Sequence, residues 1–159
     1  MSRRFDLAKD APDGGQAMLG LESYLHRSGL ESMLLHLVKL RASQINGCAY
    51  CIDMHWKDLR AAGESEQRLY GLDAWRESPY YTERERAALE WTESVTLIAS
   101  GHAPDSVYER VRQHFTGTPL ADLTLAISTI NAWNRIAIAS RAEAGAYQPR
   151  QQQHAATAS

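Results

Sequence analysis

From about Ala17 to Ala139 the apolar residues recur at intervals of three and four, and polar–apolar alternation is nearly absent. A strand returns to the same face every second residue and a helix after three or four, so this spacing commits the chain to α-helices. With 159 residues and 44% hydrophobic content, there is material for one core and too little for two. The expected fold is all-α, one helical domain over residues 1–147. The closing "QPRQQQHAATAS", residues 148–159, has too little apolar content to offset its ordering entropy and reads as a disordered tail.

Start and stop signals divide the helical stretch. In "SGLESMLLHLVKLRASQIN" the pair Ser28 and Glu31 has the spacing of a capping box, which would commit Glu31 to a helix end. Leu30, Met33, Leu34, Leu37 and Val38 follow as a wide apolar stripe that stops at the turn-prone Asn46-Gly47. A second helix is expected from Gly47 to Gly63. Thr82 with Glu85 repeats the box ahead of "RAALEWTESVTLIAS". Thr118-Pro119 offers a cap and a first-turn proline for "LADLTLAISTINAWNRIAIAS". Shorter helices are expected at 14–26 and 104–114, with an irregular connector from Gly71 to Tyr81.

Charge excludes several functions. Seventeen Lys and Arg stand against nineteen Asp and Glu, a net charge of −2 without a basic block, so neither a nucleic-acid footprint nor a polybasic membrane anchor is present. The charged "MSRRFDLAKDAPDGG" lacks the apolar stretch of a secretory signal, and no run has the length of a membrane span, so a cytoplasmic protein is expected. In a reducing compartment, two closely spaced cysteines point to catalysis or metal binding before a structural staple.

Those cysteines are the only two in the chain, and they lie in "QINGCAYCIDMH" directly after the Asn46-Gly47 break. On a helix, Cys48, Cys51 and His55 share one face, close enough for the two sulfurs to join. The helix N-terminus favours a thiolate at Cys48, whereas an imidazole one turn away favours Cys51. The dipole contributes about 0.3–1 kcal/mol at an exposed end, less than one pKa unit, so the base decides for Cys51 as attacking thiol and Cys48 as resolving thiol. Two other readings stand beside this one. A zinc clasp could draw a fourth ligand from His36, His26 or His102, although no second Cys or His pair at knuckle spacing occurs. The thiols could also be small buried hydrophobes. Trp133, Asn134 and Arg135 interrupt an apolar helix and suit an interhelical hydrogen-bond network or a subunit contact.

"LVKLRASQINGCAYCIDMHWKDLRAAGE", with "RLYGLDAWRESPYYTERERAALEWTE" and "INAWNR", resembles the AhpD-like alkylhydroperoxidases of the carboxymuconolactone decarboxylase family, over roughly residues 5–145. The resemblance implies an all-α fold, a homotrimer or homohexamer, and reduction of hydrogen peroxide or organic hydroperoxides, with Cys51 attacking and Cys48 closing the disulfide. It also implies a dithiol donor, such as a dihydrolipoyl group on a partner protein, and no flavin, haem or metal. One residue departs from the pattern. The family's glutamate twelve positions before the first cysteine is His36 here. If the two helices fold back at Gly47, His36 lies ~16 Å along one and His55 ~12 Å along the other, at ~1.5 Å per residue, so His36 is level with His55. It is either the outer member of a proton relay or a buried histidine satisfied by backbone. A general disulfide oxidoreductase and a non-enzymatic redox-sensing oligomer would use the same cysteine pair; a lactone decarboxylase has no use for one.

Overall fold

A computed structural model of the chain describes residues 2–149, and the greater part of the proposed tail lies outside them. Among the described residues the secondary structure is helical throughout: α1 (Leu7–Asp10), α2 (Pro12–Leu25), α3 (Ser32–Asn46), α4 (Ala49–Ala61), α5 (Glu66–Tyr70), α6 (Glu83–Thr96), α7 (Ile98–Gly101), α8 (Asp105–Val111) and α9 (Thr118–Ser140), with a 3₁₀ turn at Leu72–Ala74. No helix among them is long and apolar enough to cross a membrane.

The centre of the fold is α3, which packs against α4, α6 and α9. A helix covered on three sides cannot keep a polar face, and α3 buries Lys39 and Ser43 as well as Leu34, Leu35, Leu37, Val38 and Leu40. The expected stripe is thus wider than a single face. On one side Leu34, Leu35 and Val38 meet Trp91, Phe115, Leu123 and Ile127; on the other Leu37 and Leu40 meet Leu59, Leu72, Trp75 and Leu89. A third, smaller cluster joins Ala42, Cys48, Cys51 and Ile130, so the cysteines sit where α3, α4 and α9 converge.

The helix boundaries confirm one cap and correct two. Thr82 and Glu85 form the reciprocal capping box at the start of α6. Ser28 and Glu31 do not form theirs. Gly29 turns the chain at a φ of +88°, α3 begins at Ser32 with Glu31 as its N-cap residue, and the Ser28 hydroxyl donates instead to the Leu25 carbonyl at 2.8 Å. The Glu31 carboxylate pairs with Arg84 at 3.1 Å. At α9 the N-cap is Gly117, one residue before the expected Thr118.

Gly47 makes the turn that matters for the site. It ends α3 in the left-handed region, φ +67°, while its N–H reaches the Gln44 carbonyl at 3.2 Å and the Cys48 N–H the Ser43 carbonyl at 3.0 Å. This closure satisfies the last carbonyls of α3 and reverses the chain into α4.

Candidate active site

Cys48 is the N-cap residue of α4, not a residue of its first turn as expected, and its Sγ accepts from the Cys51 N–H at 3.4 Å. Cys51 lies inside the helix, and the two are joined as a disulfide across a Cα separation of 5.4 Å. An N-cap residue has non-helical dihedrals, which lets a side chain at the helix entrance turn onto the first turn. Both cysteines are buried.

One turn further along α4, His55 is buried as well. Its Nδ1 lies 3.4 Å from the Nδ1 of His36 on α3, and its Nε2 is buried without a hydrogen-bond partner among the described residues. A buried ring nitrogen with no partner costs free energy, and a catalytic role is one reason for such a group to persist. Burial, with the charges of Lys39 and His36 behind it, holds the His55 pKa well below its ordinary value, so the ring is neutral at neutral pH. Burial also lowers His36, against the opposing pull of the Asp58 carboxylate.

Cys51, His55 and His36 line one cavity of about 340 Å³, together with Asp58, Lys39 and Glu22. Cys48 faces a different recess of about 270 Å³, beside Tyr50 and Arg141. A larger cleft of about 620 Å³ shares Tyr50 and Trp133 with the first, and its described lining holds neither cysteine nor histidine. All four sequence-derived site residues are therefore near one another, but only three of them open onto the same space.

Sequence reasoning missed the groups around His36. The Asp58 Oδ2 is 4.0 Å from the His36 Nδ1, and its Oδ1 accepts from the Tyr147 hydroxyl at 2.6 Å. Asp58 follows His55 by three residues, so the helical rule that grouped the cysteines with His55 also placed this carboxylate beside it. Lys39 is buried and paired with Glu22, which also accepts from the Trp133 indole at 3.1 Å. Glu22, on α2, gave no sequence signal. The interrupting polar residues of α9 do form a network: Asn134 donates to the Ser43 hydroxyl and accepts from Asn46, and Arg135 donates to the Asn131 carbonyl.

The sequence profile of the Carboxymuconolactone decarboxylase family matches residues 12–94. The chain is 48% identical over 139 residues to protein YdfG of Bacillus subtilis, covering 87% of this chain and 95% of that one. A crystal structure from Agrobacterium tumefaciens, described as a candidate antioxidant defence protein AhpD, superposes with a TM-score of 0.88 at 47% identity, over 92% of this chain and all of that one. An AhpD-core, peroxidase-related protein of Ralstonia eutropha shares the fold, with a TM-score of 0.77 at 21% identity over 88% of this chain and 74% of the other.

Proposed function

Because the chain belongs to the carboxymuconolactone decarboxylase family and carries an AhpD-like cysteine pair, we propose that it is a thiol-dependent peroxidase. The observation that carries this reading is the placement on the wall of one cavity of Cys51 and a neutral His55 whose Nε2 has no hydrogen-bond partner among the described residues.

In the reduced protein the His55 Nδ1–H donates to the His36 Nδ1, which leaves the lone pair of Nε2 free to take the Cys51 thiol proton. The thiolate attacks one oxygen of the peroxide, the O–O bond breaks, and the leaving alkoxide or hydroxide takes the proton back. Cys51 is then a sulfenic acid. Cys48 attacks its sulfur, its thiol proton leaves with the hydroxide as water, and one peroxide and two thiols thus give one disulfide, one water and one alcohol, or a second water where the substrate is hydrogen peroxide. An external dithiol, such as a dihydrolipoyl group on a partner protein, reopens the bond by two exchanges.

In this scheme Asp58 takes the part of the carboxylate that His36 replaced. A positive charge on His55 is relayed to His36, and the Asp58 Oδ2, 4.0 Å from the His36 Nδ1, stabilises it there. Asp58 is a positioning residue and does not touch the peroxide. The scheme requires no metal, flavin or haem, and the reading includes a homotrimer or homohexamer working in the cytoplasm.

Intact mass tests the proposal. Reduced protein treated with one equivalent of peroxide should lose two hydrogens and regain them with dihydrolipoamide, in repeated cycles. Oxidation without turnover in the presence of the donor would favour a redox sensor. Reduction of disulfide substrates with no response to peroxide would favour a general disulfide oxidoreductase.

A further inference from the structure

Away from the sulfurs, three side chains turn donor atoms toward one point. The Nδ1 atoms of His36 and His55 face each other at 3.4 Å, the Asp58 Oδ2 is 4.0 Å from the first, and the three residues each bring one potential ligand atom within 4.8 Å of the other two. Two ligand nitrogens on a tetrahedral zinc ion, each ~2.0–2.1 Å from the metal, stand about 3.4 Å apart. We propose that His36, His55 and Asp58 form a site for a divalent transition ion of the zinc class, with its fourth position open to the cavity.

The surroundings suit such an ion. Two imidazoles and one carboxylate match zinc, whereas magnesium and calcium require more oxygen donors. The Tyr147 hydroxyl holds Asp58 Oδ1 at 2.6 Å and leaves Oδ2 as the ligating atom, the outer-shell arrangement that orients metal-binding carboxylates. The His36 and Asp58 side chains are each 18% exposed, so the site can be reached and the carboxylate can swing inward. Lys39 also lies near, but Glu22 pairs with its ammonium group, which leaves the Asp58 charge for the ion. His26 lines the same cavity.

Occupation has a chemical consequence, which rests on the peroxidase reading although the site itself does not. A metal on Nδ1 of His55 leaves the ring proton on Nε2, and a protonated Nε2 cannot accept from Cys51. Zinc would therefore be a reversible inhibitor that takes the base and leaves the thiols alone.

The test uses protein oxidised to the disulfide, stripped with chelator and titrated with zinc chloride by calorimetry. One zinc per chain should bind in the micromolar range or tighter, with at least a tenfold loss for Asp58→Asn and a larger one for His36→Ala. Both of those side chains are partly exposed, and thermal melts of each variant check that it folds. Cys48→Ser/Cys51→Ser protein should bind as the wild type does. Cobalt(II) in reduced wild-type protein should give ligand-field bands without a thiolate charge-transfer band. No binding up to about 100 μM zinc, binding indifferent to His36→Ala, or binding that disappears with the cysteines would each overturn the site. Peroxidase activity measured in chelator-treated buffer is a separate result, so failure of the enzymatic reading would not be mistaken for failure of the site.

Discussion

Asn134→Ala probes the network that holds α9 against the end of α3, one turn before the cysteines. The Asn134 side chain is fully buried; its Nδ2 donates to the Ser43 Oγ at 3.0 Å and its Oδ1 accepts from the Asn46 Nδ2 at 2.8 Å. Truncation removes both bonds. Asn46 keeps its bond to Asn131 at 3.0 Å and Ser43 its bond to the Lys39 carbonyl at 2.7 Å, so neither group is stranded completely. Two net hydrogen bonds at about 1 kcal/mol each give a loss of about 2 kcal/mol, to which the small cavity adds a fraction. For a chain of this length, that is a fall in Tm of roughly 4–8 °C. The assay is urea unfolding of oxidised protein by tryptophan fluorescence at one fixed concentration, with Ser43→Ala and the double variant completing a cycle. The midpoint should fall with the slope unchanged, and the cycle should return about 1 kcal/mol of coupling. A loss below about 0.5 kcal/mol, or additivity of the two substitutions, would refute this account of the network.

Three further outcomes follow. Cys51→Ser should abolish peroxide consumption, and Cys48→Ser should leave a sulfenic acid that a dimedone-type probe labels; labelling of only the Cys51→Ser protein would exchange the two roles. His36→Glu should restore the family carboxylate and speed oxidation of the thiol pair in stopped-flow measurements, most clearly alongside Asp58→Asn, because Asp58 would otherwise repel the new charge; unchanged or slower oxidation would make His36 structural. Glu93 is held below its ordinary carboxyl value because hydrogen bonds from Trp75 and Arg41 and the charges of Arg41 and Arg76 outweigh the upward effect of burial. Its folded pKa is depressed, so its stabilisation is present above the ordinary value near 4.5 and is lost as pH falls through the lowered one. Glu93→Gln should therefore lose less stability than wild type between neutral pH and about pH 3 in denaturant titrations.

The helices were readable because their signals are local: a spacing of three and four, a threonine three residues before a glutamate, an Asn-Gly break. The two capping boxes show the limit of such signals. Thr82 and Glu85 bound each other, while Ser28 and Glu31, at the same spacing, did not, because Gly29 at φ +88° separates Ser28 from the helix and Arg84, distant in sequence, takes the Glu31 carboxylate. The contact between His36 and His55 followed from helical rise once a reversal at Gly47 was assumed. Lys39 and Glu22 depend on how α2 lies over α3, a matter of tertiary packing that no spacing along one helix encodes. Asp58 was within reach of the helical rule, but a carboxylate on a helix is most often a solvated charge and carries no signal of its own.

The family resemblance implies a glutamate where this chain has His36, and in the proposed scheme that exchange alters more than the strength of a base. A glutamate at that position would present a fixed negative charge to His55; His36 presents a lone pair, and the negative charge moves to Asp58 on the same helix as the cysteines. In the proposed relay this adds a member, whose Nδ1 stands 3.4 Å from that of His55. That spacing suits a shared proton or a shared metal ion equally well, but the two need opposite tautomers of His55: Nδ1–H for the proton relay, Nε2–H for the metal. Proton transfer from Cys51 and zinc binding at Nδ1 are therefore mutually exclusive on one ring. Zinc should lower the fraction of active chains and leave the rate of each active chain unchanged, so that kcat falls in proportion to occupancy while KM for the peroxide stays constant.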